Sequence, residues 1–221
     1  NSNSQYIKAA PLVKAMLNYG ANAQLYFDYN TDNLANASLD ETDKALVEEL
    51  DLSAYESSVS GEEEGVSFYG GTLSLKSETA IKLYFEIDSS VDMDTLLVTV
   101  NDENAEFTKN GKYYELKISD IPAHKLQEMY EVKVGKLTVN YGVFSYGAIA
   151  MGTSKDVLKN TIKSLYAYNL AARYYLKPDC DTCGNTGTLT SVTRCNICNG
   201  AGSVMFTPCD ACLGDGTIES V

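Results

Sequence analysis

IKLYFEI, Ile81 to Ile87, and KYYELKI, Lys112 to Ile118, decide how this chain is read. In both, apolar and polar residues alternate, which sends successive side chains to opposite faces of an extended strand. Val, Ile, Tyr, Thr and Leu suit a pleated, half-buried surface. Short runs rich in these residues recur at Phe68–Leu75, Ala80–Ile87, Leu96–Asn101, Tyr113–Ile118 and Val132–Asn140. Turn chemistry bounds them, at Gly70-Gly71, Asp88-Ser89-Ser90 and Asn110-Gly111. Runs of this length and spacing predict an antiparallel β-sandwich rather than a parallel sheet.

Outward from the strands the periodicity changes. VKAMLNYGANAQLYF, Val13–Phe27, aligns without gaps on IKSLYAYNLAARYYL, Ile162–Leu176, at a constant offset of 149. Lys14 then matches Lys163, Tyr19 matches Tyr168, Ala23 matches Ala172 and Tyr26 matches Tyr175. Apolar residues recur at helical spacing, as Leu12, Met16, Tyr19, Ala23 and Tyr26, and as Leu158, Ile162, Leu165, Tyr168, Ala172 and Tyr175. Small residues, Ala15, Gly20, Ala21 and Ala23 in one and Ala167, Ala171 and Ala172 in the other, permit close backbone approach. The two helices are expected to pack together and unite the ends of the domain. A shorter helix is expected over Asp40–Leu50 and a helical turn over Tyr146–Met151, with Ser154 marking the start of the last helix. The overall class is therefore α+β: an antiparallel β-sandwich flanked by two packed helices, residues 1–177, followed by a small tail, 178–221.

The tail has its own chemistry. All six cysteines fall in it as three CxxC pairs, Cys180 with Cys183, Cys195 with Cys198, and Cys209 with Cys212, repeating at 15 and then 14 residues. A CxxC turn sets two thiolates on one side of a tight loop, and two such turns supply the four sulfurs of a tetrahedral zinc site. The glycines of CNICNGAG and CDACLGDG suit this, since glycine reaches positive φ without steric cost. Thr188–Arg194 and Ser203–Pro208 read as hairpin arms between the knuckles. Zinc is the expected cofactor and all six cysteines are candidate ligands. One complete site needs four of them, and Cys195, Cys198, Cys209 and Cys212 carry the fuller pattern. The remaining two have three fates open: a local disulfide, free thiols, or a second zinc shared with another chain. A segment of this size cannot build a core unaided, so the leading role for the metal is a staple. Direct binding by the tail ranks second. A CxxC redox role ranks third because no βαβ pattern accompanies the motif.

These motifs carry two resemblances. Residues 178–219 resemble the cysteine-rich zinc region of DnaJ-type chaperones, built from CxxCxGxG repeats. That family has four repeats and two zincs; this chain has three repeats, the first (CDTCGNTG) with its leading glycine one place early, and no HPD-bearing J-domain is visible within residues 1–177. The segment LVKAMLNYGANAQLYFDYNTDNLAN, with the later IKSLYAYNLAARYY, resembles a module found near the C-termini of large secreted or surface proteins of gut Firmicutes, over about residues 5–176. This second resemblance implies an exported, cell-surface location and attachment to a longer chain. It assigns no binding or catalytic residues.

Composition narrows the partners. A net charge of −13 and a pI near 4.4 argue against a nucleic-acid backbone, which needs clustered Lys and Arg. No run approaches the length of apolar sequence that inserts into a membrane. The start, NSNSQYIKAAP, reads as the cut edge of a longer chain.

Enzymatic readings find little to build on. His124 is the only histidine and lies in IPAHKL beside a turn, so no Ser-His-Asp or Cys-His set has a second histidine to draw on. GxSxG, HExxH and phosphate-loop motifs are absent. Glu62, Glu63 and Glu64 read as a solvated loop, and Asp88, Asp92 and Asp94 as a charged turn with calcium as the weaker reading. Tyr166, Tyr168, Tyr174 and Tyr175 are expected to pack the helix, while Tyr69, Tyr84 and Tyr114 offer a sugar-stacking face on the sheet. The function expected is a non-enzymatic accessory or interaction module of an exported bacterial protein, its partner a protein or a surface polysaccharide. The rivals are a cytosolic DnaJ-like polypeptide-binding protein and an extracellular carbohydrate-binding module.

Overall fold

The computed structural model describes residues 2–76 and 78–176, with four short strands between 192 and 219. The fold is α+β and divides into two compact units, one drawn from segments up to Leu50 and from Lys155 onward, the other Asp51–Ser154.

The first unit is built on helices α1 (Ser2–Phe27) and α4 (Asp156–Leu176), with the single turn α2 (Glu41–Lys44) between them in sequence. They run antiparallel. The Thr161 hydroxyl near the start of α4 donates to the Asn22 carbonyl at 3.2 Å, and Pro11 shares a cleft with Tyr174 at the other end. Midway, Tyr19 stacks on Tyr168 with centroids 5.8 Å apart and planes 15° apart. On α4 the buried stripe is Leu158, Ile162, Leu165, Asn169 and Ala172, close to the apolar periodicity. Two expectations are corrected here. Tyr174 rather than Tyr175 is buried, and on α1 Met16 and Tyr26 are exposed while Asn18 and Ala21 are buried. The reason is visible in Asn18, whose amide donates to the Asp43 carbonyl at 2.5 Å and accepts from Asn36 at 2.9 Å. A polar side chain, satisfied on both sides, replaces the apolar contact that periodicity looks for.

The chain between the helices is held by side chains rather than by regular structure. Gln24 donates to the carbonyls of Asn30 and Asn33, at 3.2 and 3.0 Å, and accepts from the Ala35 N–H at 2.7 Å. Asp28 and Asn30 take φ of 52° and 49°, a left-handed region that Asp and Asn tolerate. The helix expected over Asp40–Leu50 is only Glu41–Lys44. Asp40 caps it by accepting from the Asp43 N–H at 2.8 Å, but Ala45 is extended, with ψ 133°. The Glu48 carbonyl beyond it accepts from Lys163 at 2.7 Å on α4.

The second unit holds two antiparallel sheets, an arrangement compatible with a β-sandwich. One sheet has the order β1 (Ser58–Ser60), β9 (Leu137–Gly142), β8 (Met129–Val134), β4 (Val98–Val100), β5 (Glu103–Asn104). The other has the order β2 (Val66–Leu75), β3 (Thr79–Ile87), β7 (Tyr113–Ile118), β6 (Thr108–Asn110). The alternation in IKLYFEI and KYYELKI is realised in register: Ile81 opposes Ile118, Leu83 opposes Leu116 and Phe85 opposes Tyr114. Ile81, Leu83 and Phe85 are fully buried, as are Val132, Val134 and Val139 of the other sheet. Tyr141 on β9 joins the two, its ring 6.2 Å from Phe68 and seated against Gly71 on β2.

Two strand boundaries are corrected. Val132–Asn140 is a hairpin, not one strand: Gly135 takes φ +58°, Val134 pairs with Leu137, and the chain returns as β9. Leu96–Asn101 shortens to Val98–Val100 because Asn101 and Asp102 turn at φ 50° and 66°. The strands β1, β5 and β6 are short and exposed, so they carry no apolar alternation by which to be recognised. Helix α3 (Val143–Met151) starts directly from β9, where the Ser145 hydroxyl accepts from the Gly142 N–H at 2.9 Å and donates to the Tyr55 carbonyl at 2.6 Å. No helix among the described residues is long and apolar enough to cross a membrane.

Burial pushes the phenols of Tyr19 and Tyr141 up to about 12 from an ordinary 10, with Tyr168 and Tyr146 respectively as the smaller cause. Folding therefore favours the neutral form of each phenol. The stability that follows is complete below pH 10 and is lost as pH rises through 12. Discounted for solvent access, it is on the order of 1–2 kcal/mol per residue. Thermal melts are expected to hold constant up to about pH 10 and fall steeply from there to pH 12, with a shallower fall in Tyr141→Phe. A melting temperature independent of pH across that window contradicts the assignment.

Candidate functional site

Among the described residues the most developed surface is the solvent face of β2–β3–β7–β6. Alternation assigns it: Lys82, Tyr84 and Glu86 share one parity on β3, opposite to Ile81, Leu83 and Phe85, and Tyr113, Glu115 and Lys117 share the matching parity on β7. Tyr69 reaches the same face through an irregularity. Phe68 pairs with Phe85 and Gly70 with Tyr84, leaving Tyr69 as the extra residue of a bulge. Gly70 sits there at φ +155°, a conformation an L side chain rarely adopts.

The bulge lays the Tyr69 ring, 64% exposed, against Tyr113 at 4.4 Å between centroids and 38° between planes. Tyr84 meets Tyr113 edge-on at 6.0 Å. Lys112 lies over the exposed Tyr69 and the half-buried Tyr113, 5.6 Å and 4.7 Å from their ring centroids, and pairs with Glu86 at 2.8 Å. Hydrogen bonding to Glu86, then to Tyr113, holds the Lys112 ammonium above its ordinary value. A hydrogen bond with Tyr113 likewise raises the Tyr69 phenol. Beside them Lys82 pairs with Glu115 at 2.8 Å, and Asn110 donates to the same carboxylate at 2.9 Å. Burial pushes Glu115 up, but the bonds from Lys82 and Asn110 prevail and hold its carboxyl below the usual range.

The tyrosine face read from the sequence is thereby altered in one member. Tyr69 and Tyr84 are on it, and Tyr114 is not: it points to the opposite side and meets Phe107 at 6.0 Å, with Phe107 in turn 5.3 Å from the buried Phe85. Tyr113 takes its place. The signal is present in KYYELKI, where Tyr114 has the parity of Leu116 and Ile118, and Tyr113 that of Glu115 and Lys117.

Other residues singled out in the sequence have structural work. Glu63 departs from the solvated-loop reading: its carboxylate accepts from the Lys136 N–H at 2.8 Å and lies against Gly135, where it closes the β8–β9 turn. Asp92 accepts from the Asp94 N–H at 3.1 Å, and its carbonyl accepts from Leu96, so this acidic stretch is a turn stabilised by its own backbone. No group of three or more His, Cys, Asp or Glu is placed to hold a metal among the described residues. His124 is half-buried in the short turn Ala123–Lys125. The helical unit has a cleft of about 260 Å³ beside Asn18, Leu46, Tyr166 and Leu170, with the Lys14–Asp43 ion pair, 2.7 Å, on its wall.

The six cysteines, and with them the expected zinc ligands, lie outside the described residues. Four strands of the tail are described: β10 (Val192–Arg194) pairs antiparallel with β13 (Thr217–Glu219), and β11 (Ser203–Val204) with β12 (Thr207–Pro208). No protein-family model matches the chain, and no curated protein or solved structure is significantly similar to it.

Proposed function

We propose that this chain is a non-enzymatic binding module of an exported bacterial surface protein, its β unit a sandwich and its tail stapled by zinc. The observation that carries the binding reading is the solvent face of β2–β3–β7–β6, where a bulge holds the Tyr69 ring, 64% exposed, in water against the half-buried Tyr113 instead of folding it inward. An exposed tyrosine backed by further rings offers apolar area with a polar edge, the character of interaction surfaces. The partner is a protein or a surface polysaccharide.

The zinc reading draws support from strand register. Arg194, just before Cys195, opposes Thr217, and Ser203 opposes Pro208, just before Cys209. Each of the knuckles at 195 and 209 is therefore entered and left by strands paired with those of the other. That frame favours Cys195, Cys198, Cys209 and Cys212 as one four-thiolate site, with the knuckle at Cys180 preceding it. Zinc there supplies folding energy to a segment too small to make its own core.

Elemental analysis of the full chain, purified without chelator, is expected to return about one zinc per monomer. Cys195→Ser should abolish it and Cys180→Ser should leave it unchanged; the reverse result reassigns the ligands. No metal with all six thiols oxidised ends the zinc reading. In parallel, the chain should fail to suppress aggregation of a chemically unfolded protein at equimolar ratio. Suppression there favours the DnaJ-like rival over the surface module.

A further inference from the structure

Several features of the tyrosine face bear on what it holds. The rings come from three strands that are neighbours in the sheet, β2, β3 and β7, so at the usual strand spacing they span about 10 Å. That is the footprint of one or two sugar rings. A stable protein partner buries about 800 Å² on each side, more than three aromatic side chains of about 150–250 Å² each supply. The backbone beside them is also uncovered: a Cβ built on Gly70, paired with Tyr84, would meet no atom within 4 Å beyond its own chain neighbours.

Charge narrows the ligand further. Although the chain carries −13 overall, the cations of this face are each answered by a carboxylate: Lys112 by Glu86, Lys82 by Glu115 and Lys117 by Glu78. The paired groups still offer N–H donors and carboxylate acceptors at the rim, but no net field for an ion. Acidic polymers meet the repulsion of the chain as a whole. A pyranose has an apolar C–H face and a rim of hydroxyls, the same division that stacked tyrosines bordered by neutralised ion pairs present.

We infer that the outer face of β2–β3–β7–β6 binds a neutral, hydroxyl-rich pyranose chain, with the exposed ring of Tyr69 as the stacking surface, Tyr113 and Tyr84 behind it, and Glu86 and Lys112 as the hydrogen-bonding rim. The inference rests on the reading of the chain as a binding module and names the class of its ligand.

Affinity electrophoresis of the full chain in gels containing laminarin, arabinoxylan or galactomannan tests it, with heparin as the anionic counterpart. Retardation by at least one neutral polymer and none by heparin is expected. Tyr69→Ala and Tyr113→Ala should each weaken it about tenfold, the loss of one stacking surface. Tyr29→Ala, exposed in the helical unit, should leave it unchanged. Tyr69 is the more exposed of the two rings, so its variant should melt like the parent and keeps the test readable if Tyr113→Ala unfolds. Overturning results are the absence of retardation by all three neutral polymers, retardation by heparin alone, or undiminished retardation of a folded Tyr69→Ala. Sedimentation showing self-association that Tyr69→Ala abolishes would assign the face to a second copy and overturn it as well. None of these outcomes alters the zinc count or the aggregation assay, so the module reading stands or falls separately.

Discussion

Ala172→Arg is expected to lower the stability of the helical unit by about 3–5 kcal/mol, the range for a charge buried without a partner. Ala172 is 7% exposed on the stripe of α4 that also carries Ile162, Leu165 and Asn169. A guanidinium there must either lose its hydration or push the helices apart at the Tyr19–Tyr168 stack, which forfeits the contacts that hold α1. Ala23→Arg is the informative companion. Ala23 is half-buried, and a long side chain at such a position can run its stem over the surface and keep its head in water, at a cost of about 1 kcal/mol. Circular-dichroism melts should rank the pair, with a drop of about 10 °C for Ala172→Arg and a few degrees for Ala23→Arg. Equal, small shifts would show that the α4 stripe is solvated and that the helix pairing is wrong.

That ranking also shows what the sequence can and cannot convey. α4 is legible because its buried stripe is apolar at Leu158, Ile162 and Leu165. The facing side of α1 is not, because Asn18 and Ala21 do the burying there and Gln24 and Asn18 fasten the following loop through hydrogen bonds. Hydrophobic periodicity cannot register a buried amide. In the β unit the alternation of β3 and β7 locates the core, while β1, β5 and β6 stay hidden because their residues are exposed on both faces. The tyrosine face is half legible. Parity alone separates Tyr113 from Tyr114, but Tyr69 depends on a bulge, and a one-residue insertion flips every later side chain to the other face. Gly70-Gly71, which read in the sequence as turn chemistry, are strand residues of β2 with different reasons for having no side chain. Gly70 accommodates the bulge, and Gly71 accommodates Tyr141.

The role of Gly71 makes a prediction whose sign discriminates. Gly71 does not have a positive φ, so alanine is compatible with its backbone, and Gly→Ala inside a strand ordinarily stabilises by about 0.5–1 kcal/mol. Here the added Cβ would lie 2.5 Å from Cζ of Tyr141 and 2.9 Å from both Cε atoms. The ring has little room to yield, being 1% exposed and packed edge-on against Phe68. Overpacking of this kind costs about 1–3 kcal/mol, so Gly71→Ala should destabilise where the backbone argument alone says the opposite. Tyr141→Ala by itself should cost about 3–5 kcal/mol, the loss of a buried aromatic at the meeting of the two sheets. With that ring gone the clash has no second party, and Gly71→Ala in the Tyr141→Ala background should be neutral or stabilising. Denaturant unfolding of the four proteins measures the coupling, expected at about 2 kcal/mol. A Gly71→Ala protein more stable than the parent, or a coupling near zero, would mean that the Tyr141 ring does not rest on β2 and that the two sheets meet elsewhere.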